Sequence, residues 1–433
     1  MIFAIFLYTF SIGLIFWIPF NKVEESFQVQ ALHDNVYVDN LNDFDHFEFP
    51  GAVDRSFIPS YVNSRTLKLI IHVLNICGIP PSKILVLCIG RLILSLLALI
   101  SFVYYYASCG KNSKKYFFIV LYTQFHILFY STRFLSNYMA LPFVTIGLAA
   151  AKNGKSKLFI WTVVFSAIIL RCEVGLLFCI YAVTLLIQRK IKFGNLVIQT
   201  FIALGFFIVV SFYIDSIYWN KSTIPEINAF IFNIIKNENV KWGTMPFFWY
   251  FNTAMPKMMG AYIFIFVYQC LTHKRQFLYT MLPSLVYIFI YSFVAHKENR
   301  FIVYALIPAT EIISQGMDSI CKKHIMGNIF VKLSIVINVA LCIIGCFRGY
   351  YNYPGATAML KLTEYHKVHD TIHKTVHVDT FCLQNGVSRF ITLKGLTVHK
   401  KEIQNYDNWS LEKDDINYLI MEVETSLHNI NNL

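Results

Sequence analysis

The feature that most constrains this chain is a succession of apolar stretches, most of them near the roughly 20 residues a helix needs to cross a bilayer. They fall at about 2–20, 84–106, 116–130, 134–151, 158–170, 172–187, 195–217, 247–271, 277–295, 301–316 and 329–347, which makes about eleven predicted spans. The pair 158–170 and 172–187 is divided at Arg171–Glu173, because charges at the bilayer centre are costly. Composition agrees with this reading. Of the 433 residues, 56% are hydrophobic and only 14% are charged, well below the roughly 25% of a typical soluble domain. An α-helical polytopic membrane protein is expected. The first stretch has no basic residue before it and no small-residue cleavage site after it, so it reads as a retained helix, not a signal peptide.

The net charge of +12 would suit a nucleic-acid binder, but its distribution argues against one. The basic residues cluster in short loops at Lys111–Lys115, Lys152–Lys157, Arg189–Lys192, Lys274–Arg275 and Lys322–Lys323. All five fall on one side if the N-terminus starts in the cytosol, as the positive-inside rule requires. The opposite side then receives a long first loop, 21–83, a second loop at about 218–246, a tight turn at His296–Arg300, and a tail. Two regions follow: a multi-span membrane domain, 1–347, and a luminal cap, 348–433. Alternating runs at Val376–Asp379 and Ser388–Leu393 predict a small α/β element in the cap. The sequons Asn220-Lys-Ser222 and Asn408-Trp-Ser410 are candidate glycosylation sites on that side.

Ten cysteines are scattered with no CxxC pair, which disfavours a cysteine-built zinc or redox site. Cys77 and Cys382 share the loop side in this topology and are candidates for a bridge. His366, His369, His373 and His377 have helical spacing. A zinc stripe is one reading, but the interleaved Lys and Asp favour a plain exposed face.

Chemistry-bearing residues concentrate in two places. Glu24 and Glu25 follow the first helix directly, with His33 and Asp34 beyond them. Transfer of a sugar to a hydroxyl needs a carboxylate to take the proton. Acidic residues in a first helical turn also have a purely electrostatic rationale, and residue chemistry alone leaves both readings open. Further on, Asp45, His46, Glu48 and Arg55 mix charge with aromatics around Pro50-Gly51, a mixture that suits carbohydrate. The second place is His296-Lys-Glu-Asn-Arg-Phe301. His296, Lys297 and Arg300 stand in a turn whose side the charge rule would leave poor in cations, and a phosphate leaving group needs cations. The alternative is a turn of snorkelling side chains. Arg171 and Glu173 read as a pair that satisfies itself.

Lys22-Val-Glu-Glu-Ser-Phe27, His33-Asp34 and His296-Lys-Glu-Asn-Arg-Phe301 resemble glycosyltransferase family 22. Further stretches strengthen the resemblance: Asp45–Gly51, Thr123–Arg133, Asp215–Trp219, Trp242–Tyr250, Asn352–Gly355, Val376–Asp379 and Gly386–Phe390. Each is short, and their shared order over most of the chain carries the match. The resemblance implies a C-type glycosyltransferase fold in the endoplasmic-reticulum membrane, with its site facing the lumen. It implies an inverting transfer of mannose from dolichyl-phosphate mannose to a seven-mannose dolichyl-diphosphate oligosaccharide in α-1,6 linkage. It implies no cofactor and no bound metal.

On that basis Glu24 or Glu25 is the expected base, with Asp34 third. His296, Lys297 and Arg300 are expected to hold the donor phosphate. Asp45, His46, Glu48, Arg55 and Trp242 are expected at the acceptor, with Trp249 and Tyr250 as further lining candidates. Two alternatives stand beside this reading. One is a sister enzyme acting on another lipid-linked oligosaccharide or a glycolipid-anchor precursor. The other is a membrane transporter, which would show internal repeats and mid-membrane polar residues.

Overall fold

A computed structural model describes residues 2–323, 325–369, 374–392, 396–400 and 417–421. Helices dominate. Lys83–Ser108, Phe193–Trp219 and Ile325–Tyr350 are each long and apolar enough to cross a membrane unaided, and Tyr250–Met259 with Tyr262–Thr272 add a fourth crossing if the pair, bent by 115°, is one span. Other predicted spans appear as shorter or interrupted helices. The segment 116–130 is broken into Phe117–Tyr122 and Phe125–Tyr130. The segment 301–316 begins as a 3-10 turn, Asn299–Ala305, before Leu306–Lys323. Their outward faces are apolar: Phe201, Val209 and Val336 are each more than 60% exposed. A soluble protein would bury such a surface.

The first helix, Ile2–Trp17, stops ahead of Pro19, and its last carbonyls lack helical partners. Two buried arginines from distant segments collect the carbonyls that follow it. Arg91 donates to the Pro19 and Phe20 carbonyls at 2.9 and 3.1 Å, and Arg133 to Phe20 and Ile18 at 2.6 and 2.7 Å. Glu25 supplies the counter-charge, 3.0 Å from Arg91.

The loop 21–83 is largely helical. Val23–Tyr37 packs against Ile58–Ile76, whose Pro59 occupies the first turn where a missing N–H is harmless. An aromatic cluster ties this loop to the end of the helix Phe193–Trp219. Phe57 stacks on Tyr218 at 4.5 Å between ring centroids, and Phe27 stacks on Trp219 at 5.9 Å. Asp215 fixes the register by accepting from the Phe57 backbone N–H at 2.8 Å.

The tail begins with a helix, Pro354–His369, and a three-stranded parallel sheet in which Lys374–Val378 lies between Leu396–His399 and Tyr418–Ile420. The strands are β1 (Lys374–Val378), β2 (Leu396–His399) and β3 (Tyr418–Ile420), with Val376 opposite Val398 and Tyr418. The run Val376–Asp379 therefore contributes to a strand. Ser388–Leu393 does not: the Ser388 carbonyl accepts from Ile391 N–H at 3.0 Å and closes a turn, and Leu393 lies outside the described residues. The histidine spacing is not helical throughout. His366 is on the helix, His377 is on β1, and His373 lies outside the described residues. Cys77 is an exposed free thiol, so the bridge to Cys382 is not made. Asn220 is exposed at the end of its helix, and Asn408 lies outside the described residues.

Candidate active site

One cavity of about 980 Å³ lies where the first-loop helices, the turn at 296–300 and the tail meet. Its walls have distinct chemistry. Glu24, Gln30 and Asp34 come from the helix Val23–Tyr37, and Asp45 and His46 from the next short helix. His296, Glu298 and Arg300 come from the turn, Arg171 and Glu173 from a helix break, and Arg55 from the first loop. Phe230, Phe232, Ile234, Ile290 and Val294 form an apolar side.

Local backbone irregularities aim these groups. Ser166–Leu170 is a π turn, closed by Arg171 N–H on the Ser166 carbonyl at 2.8 Å, and Arg171 itself is extended. The chain swings out there and delivers Arg171 and Glu173 to the cavity. A second π turn, Ile231–Ile235, brings the consecutive residues Phe232, Asn233 and Ile234 to the same space. Single π turns of this kind recur at functional sites.

The two adjacent glutamates part company. Glu25 is 3% exposed, pairs with Arg91 and accepts from the Phe134 backbone N–H at 3.2 Å. Glu24 is exposed to the cavity and, among the described residues, takes no hydrogen bond or ion pair. Asp34 reaches the cavity edge but is fully engaged. It accepts from Arg389 Nη1 at 2.7 Å, His33 Nδ1 at 2.9 Å and Asp45 N–H at 2.8 Å. Burial alone would raise its pKa, yet these partners hold it below the usual carboxylate value.

In the charged turn, His296 Nδ1 faces the Gly243 carbonyl at 3.0 Å and Nε2 faces Glu298 at 3.0 Å. Both neighbours are acceptors, so the ring is best satisfied as an imidazolium donating from both nitrogens. The Glu298 hydrogen bond raises its pKa above the ordinary 6.5 despite partial burial. Arg300 donates to the same carboxylate at 2.6 Å, and its Nε is buried without a partner among the described residues. Burial opposes ionisation of Glu298, but His296 and Arg300 win and lower its pKa. Lys297 does not line the cavity. Its ammonium donates to the Val294 and Met245 carbonyls at 2.7 and 3.1 Å, stapling the turn to the preceding loop.

The remaining expected residues divide in the same way. Asp45, His46, Arg55 and Trp242 line the cavity, whereas Glu48 is exposed outside it. Tyr250 is fully buried and, like Trp249, does not line the cavity. Several lining groups escaped sequence reasoning: Gln30, Asn233, Asn239, Gln384 and Lys400. Lys400 pairs with Asp45 and lies over the Phe49 ring at 5.1 Å. Nothing in their spacing marked them, and Gln384 and Lys400 come from the tail, which reaches the first loop only through tertiary contact. Arg171 was visible in sequence as half of a charge pair, and only the helix break shows which way it points.

Comparison with known proteins places the chain as a whole. The model of the Alg9-like mannosyltransferase family matches residues 2–392. The chain belongs to the Alg9-like mannosyltransferase family. It is 30% identical over 391 residues to an Arabidopsis thaliana member named Dol-P-Man:Man(7)GlcNAc(2)-PP-Dol alpha-1,6-mannosyltransferase, covering 86% of this chain and 76% of that one. A Drosophila melanogaster protein of the same name is 30% identical over 420 residues, covering 90% of this chain and 58% of that one. The family fold agrees with a solved structure, that of ArnT from Cupriavidus metallidurans bound to undecaprenyl phosphate. The TM-score is 0.62 at 10% identity, over 96% of this chain and 89% of that one. The helices and this likeness make the family member described here a multi-pass membrane protein.

Proposed function

We propose that this chain transfers mannose from dolichyl-phosphate mannose to a seven-mannose dolichyl-diphosphate oligosaccharide, forming an α-1,6 linkage on the luminal side of the endoplasmic-reticulum membrane. The observation that carries the reading is the placement of Glu24, a carboxylate without a partner among the described residues, in one cavity with the His296–Glu298–Arg300 cluster. The family and the names of relatives matched over most of the chain supply the substrate class.

In the proposed reaction the acceptor 6-hydroxyl attacks the anomeric carbon of mannose. Glu24 takes the hydroxyl proton as the new C–O bond forms. The anomeric C–O bond to phosphate breaks on the opposite face, so configuration inverts from β to α. Dolichyl phosphate leaves with the bonding electrons, and the cationic turn stabilises the charge it gains. Arg300 has donors left for this task. His296 adds positive charge while holding Glu298, and Lys297 acts one step back by fixing the turn. Asp45, His46 and Trp242 face the acceptor sugars. The apolar side, Phe232, Ile234, Ile290 and Val294, takes the first isoprene units of the donor. The sister-enzyme and transporter readings have no comparable support.

The test is the lipid-linked oligosaccharide profile of cells lacking the protein. Accumulation of the seven-mannose species, reversed by wild type and not by Glu24→Gln, is the expected result. A normal profile would sink the reading.

A further inference from the structure

Among the groups lining the cavity, Arg55 has an electrostatic problem that its protein surroundings leave unsolved. Its backbone is pinned, since the Arg55 carbonyl accepts from Trp219 Nε1 at 3.0 Å. Its guanidinium takes no hydrogen bond or ion pair among the described residues, and Nη1 is buried. The two other arginines that line the cavity are provided for. Arg171 is held by Glu173 at 2.9 Å, and Arg300 by Glu298 at 2.6 Å. The carboxylate acting on Arg55, Glu226, already accepts from Cys172 N–H at 2.7 Å. Burial, followed by the like charges of Arg171 and Arg300, works against the Arg55 cation. A partly buried cation with no direct partner is unfavourable until an anion joins it.

Arg300 Nε is the second buried guanidinium donor in this cavity without a partner among the described residues. Two guanidinium groups with free N–H donors in one enclosure match the several oxygens of a phosphate, which guanidinium binds through its fork of donors. We propose that Arg55 is a direct ligand of the donor phosphate, acting with Arg300, and not an acceptor-site residue. The inference rests on the donor assignment made above. It adds that the unliganded enzyme holds the Arg55 guanidinium without a direct partner, which the lipid phosphate supplies.

The experiment is thermal unfolding of the purified full-length protein in detergent, with and without dolichyl phosphate, for wild type, Arg55→Met and Arg55→Lys. Wild type should gain stability with dolichyl phosphate and not with dolichol. Arg55→Met should unfold at or above the wild-type temperature without lipid, because the unpaired charge is gone. Its lipid-induced gain should shrink markedly, with affinity about tenfold to a hundredfold weaker, the range for a charged hydrogen bond lost. Arg55→Lys keeps the charge without the fork and should give an intermediate gain. It serves as the deciding variant if Arg55→Met does not fold. A full lipid-induced gain in Arg55→Met, or in Arg55→Lys where Met is unusable, overturns the assignment of Arg55 alone. No gain in wild type overturns the donor-lipid reading and this inference together.

Discussion

The Glu25 carboxylate lies 3.0 Å from the Arg91 guanidinium, with both side chains sealed from solvent. This pairing governs its neighbour. Successive residues on an α-helix point about 100° apart, so pinning Glu25 toward Arg91 turns Glu24 toward the cavity. The same arginine also gathers the Pro19 and Phe20 carbonyls. Arg91 therefore links the chain after the first helix, which Arg133 also holds, to the direction of Glu24.

Opposite consequences follow for the two glutamates. Glu24→Gln should lower turnover by about 10²- to 10⁴-fold, the usual contribution of a general base, and leave the melting temperature unchanged. Glu25→Leu should strand the Arg91 charge and cost about 3–5 kcal/mol of stability. Turnover and thermal melting measured on both variants check the division. Equal loss of activity with equal stability would refute it.

The turn predicts a pH dependence. The folded-state pKa of His296 is raised, chiefly by the Glu298 hydrogen bond. Its positive charge is therefore complete below the ordinary value near 6.5 and is lost as pH rises through the higher folded value. Donor affinity should fall along that alkaline limb. Glu298→Gln removes the main cause, so the limb should move to lower pH. A donor KM profile from pH 6 to 9 for both proteins is the measurement, and an unmoved limb would count against the imidazolium.

Arg389 connects the tail to the first loop through Asp34, which is 1% exposed. Arg389→Ala leaves that carboxylate buried with one partner fewer and should cost roughly 1–3 kcal/mol. The lowered pKa of Asp34 means that its stabilising contribution is present above the unfolded value and is lost as pH falls through the folded one. Acid unfolding of wild type should therefore begin at lower pH than that of Arg389→Ala. Melting curves between pH 3 and 7 would show it.

Gly386 has φ +116°, and an added Cβ would lie 2.6 Å from the Ala356 Cβ. Gly386→Ala should therefore loosen the tail, at about 1–3 kcal/mol for the strained backbone alone. Gly13, with nothing within 4 Å of an added Cβ and no positive φ, is the control. Thermal melting of the two alanine variants should separate them clearly.

Much of this site was legible in the sequence for a physical reason. Glu24, His296 and Arg300 stand at the ends of apolar segments, where hydropathy makes a charge conspicuous. The strand at Val376 was legible through its alternation. Choosing between Glu24 and Glu25 required the partner Arg91, which lies beyond the next helix. Lys297 looked equivalent to Arg300, but only the fold shows that it turns back onto the Val294 and Met245 carbonyls. Arg171 and Lys400 reach the cavity through a π turn and a docked tail, and neither leaves a local signature. Helix interruptions such as the 3-10 turn at Asn299–Ala305 likewise depend on tertiary partners, which hydropathy averages away.

Phe230, Ile234 and Ile290 line the cavity and are each 40–45% exposed, an apolar wall open to the surroundings. In the proposed reaction an apolar wall of this kind suits a lateral entrance from the hydrocarbon. A substrate with a polyprenyl tail would arrive by diffusion in two dimensions, without lifting its tail out of the hydrocarbon. What the enzyme senses is then a surface density. Diluting the donor with inert phospholipid at constant bulk concentration should slow the enzyme, whereas adding buffer at constant lipid composition should not.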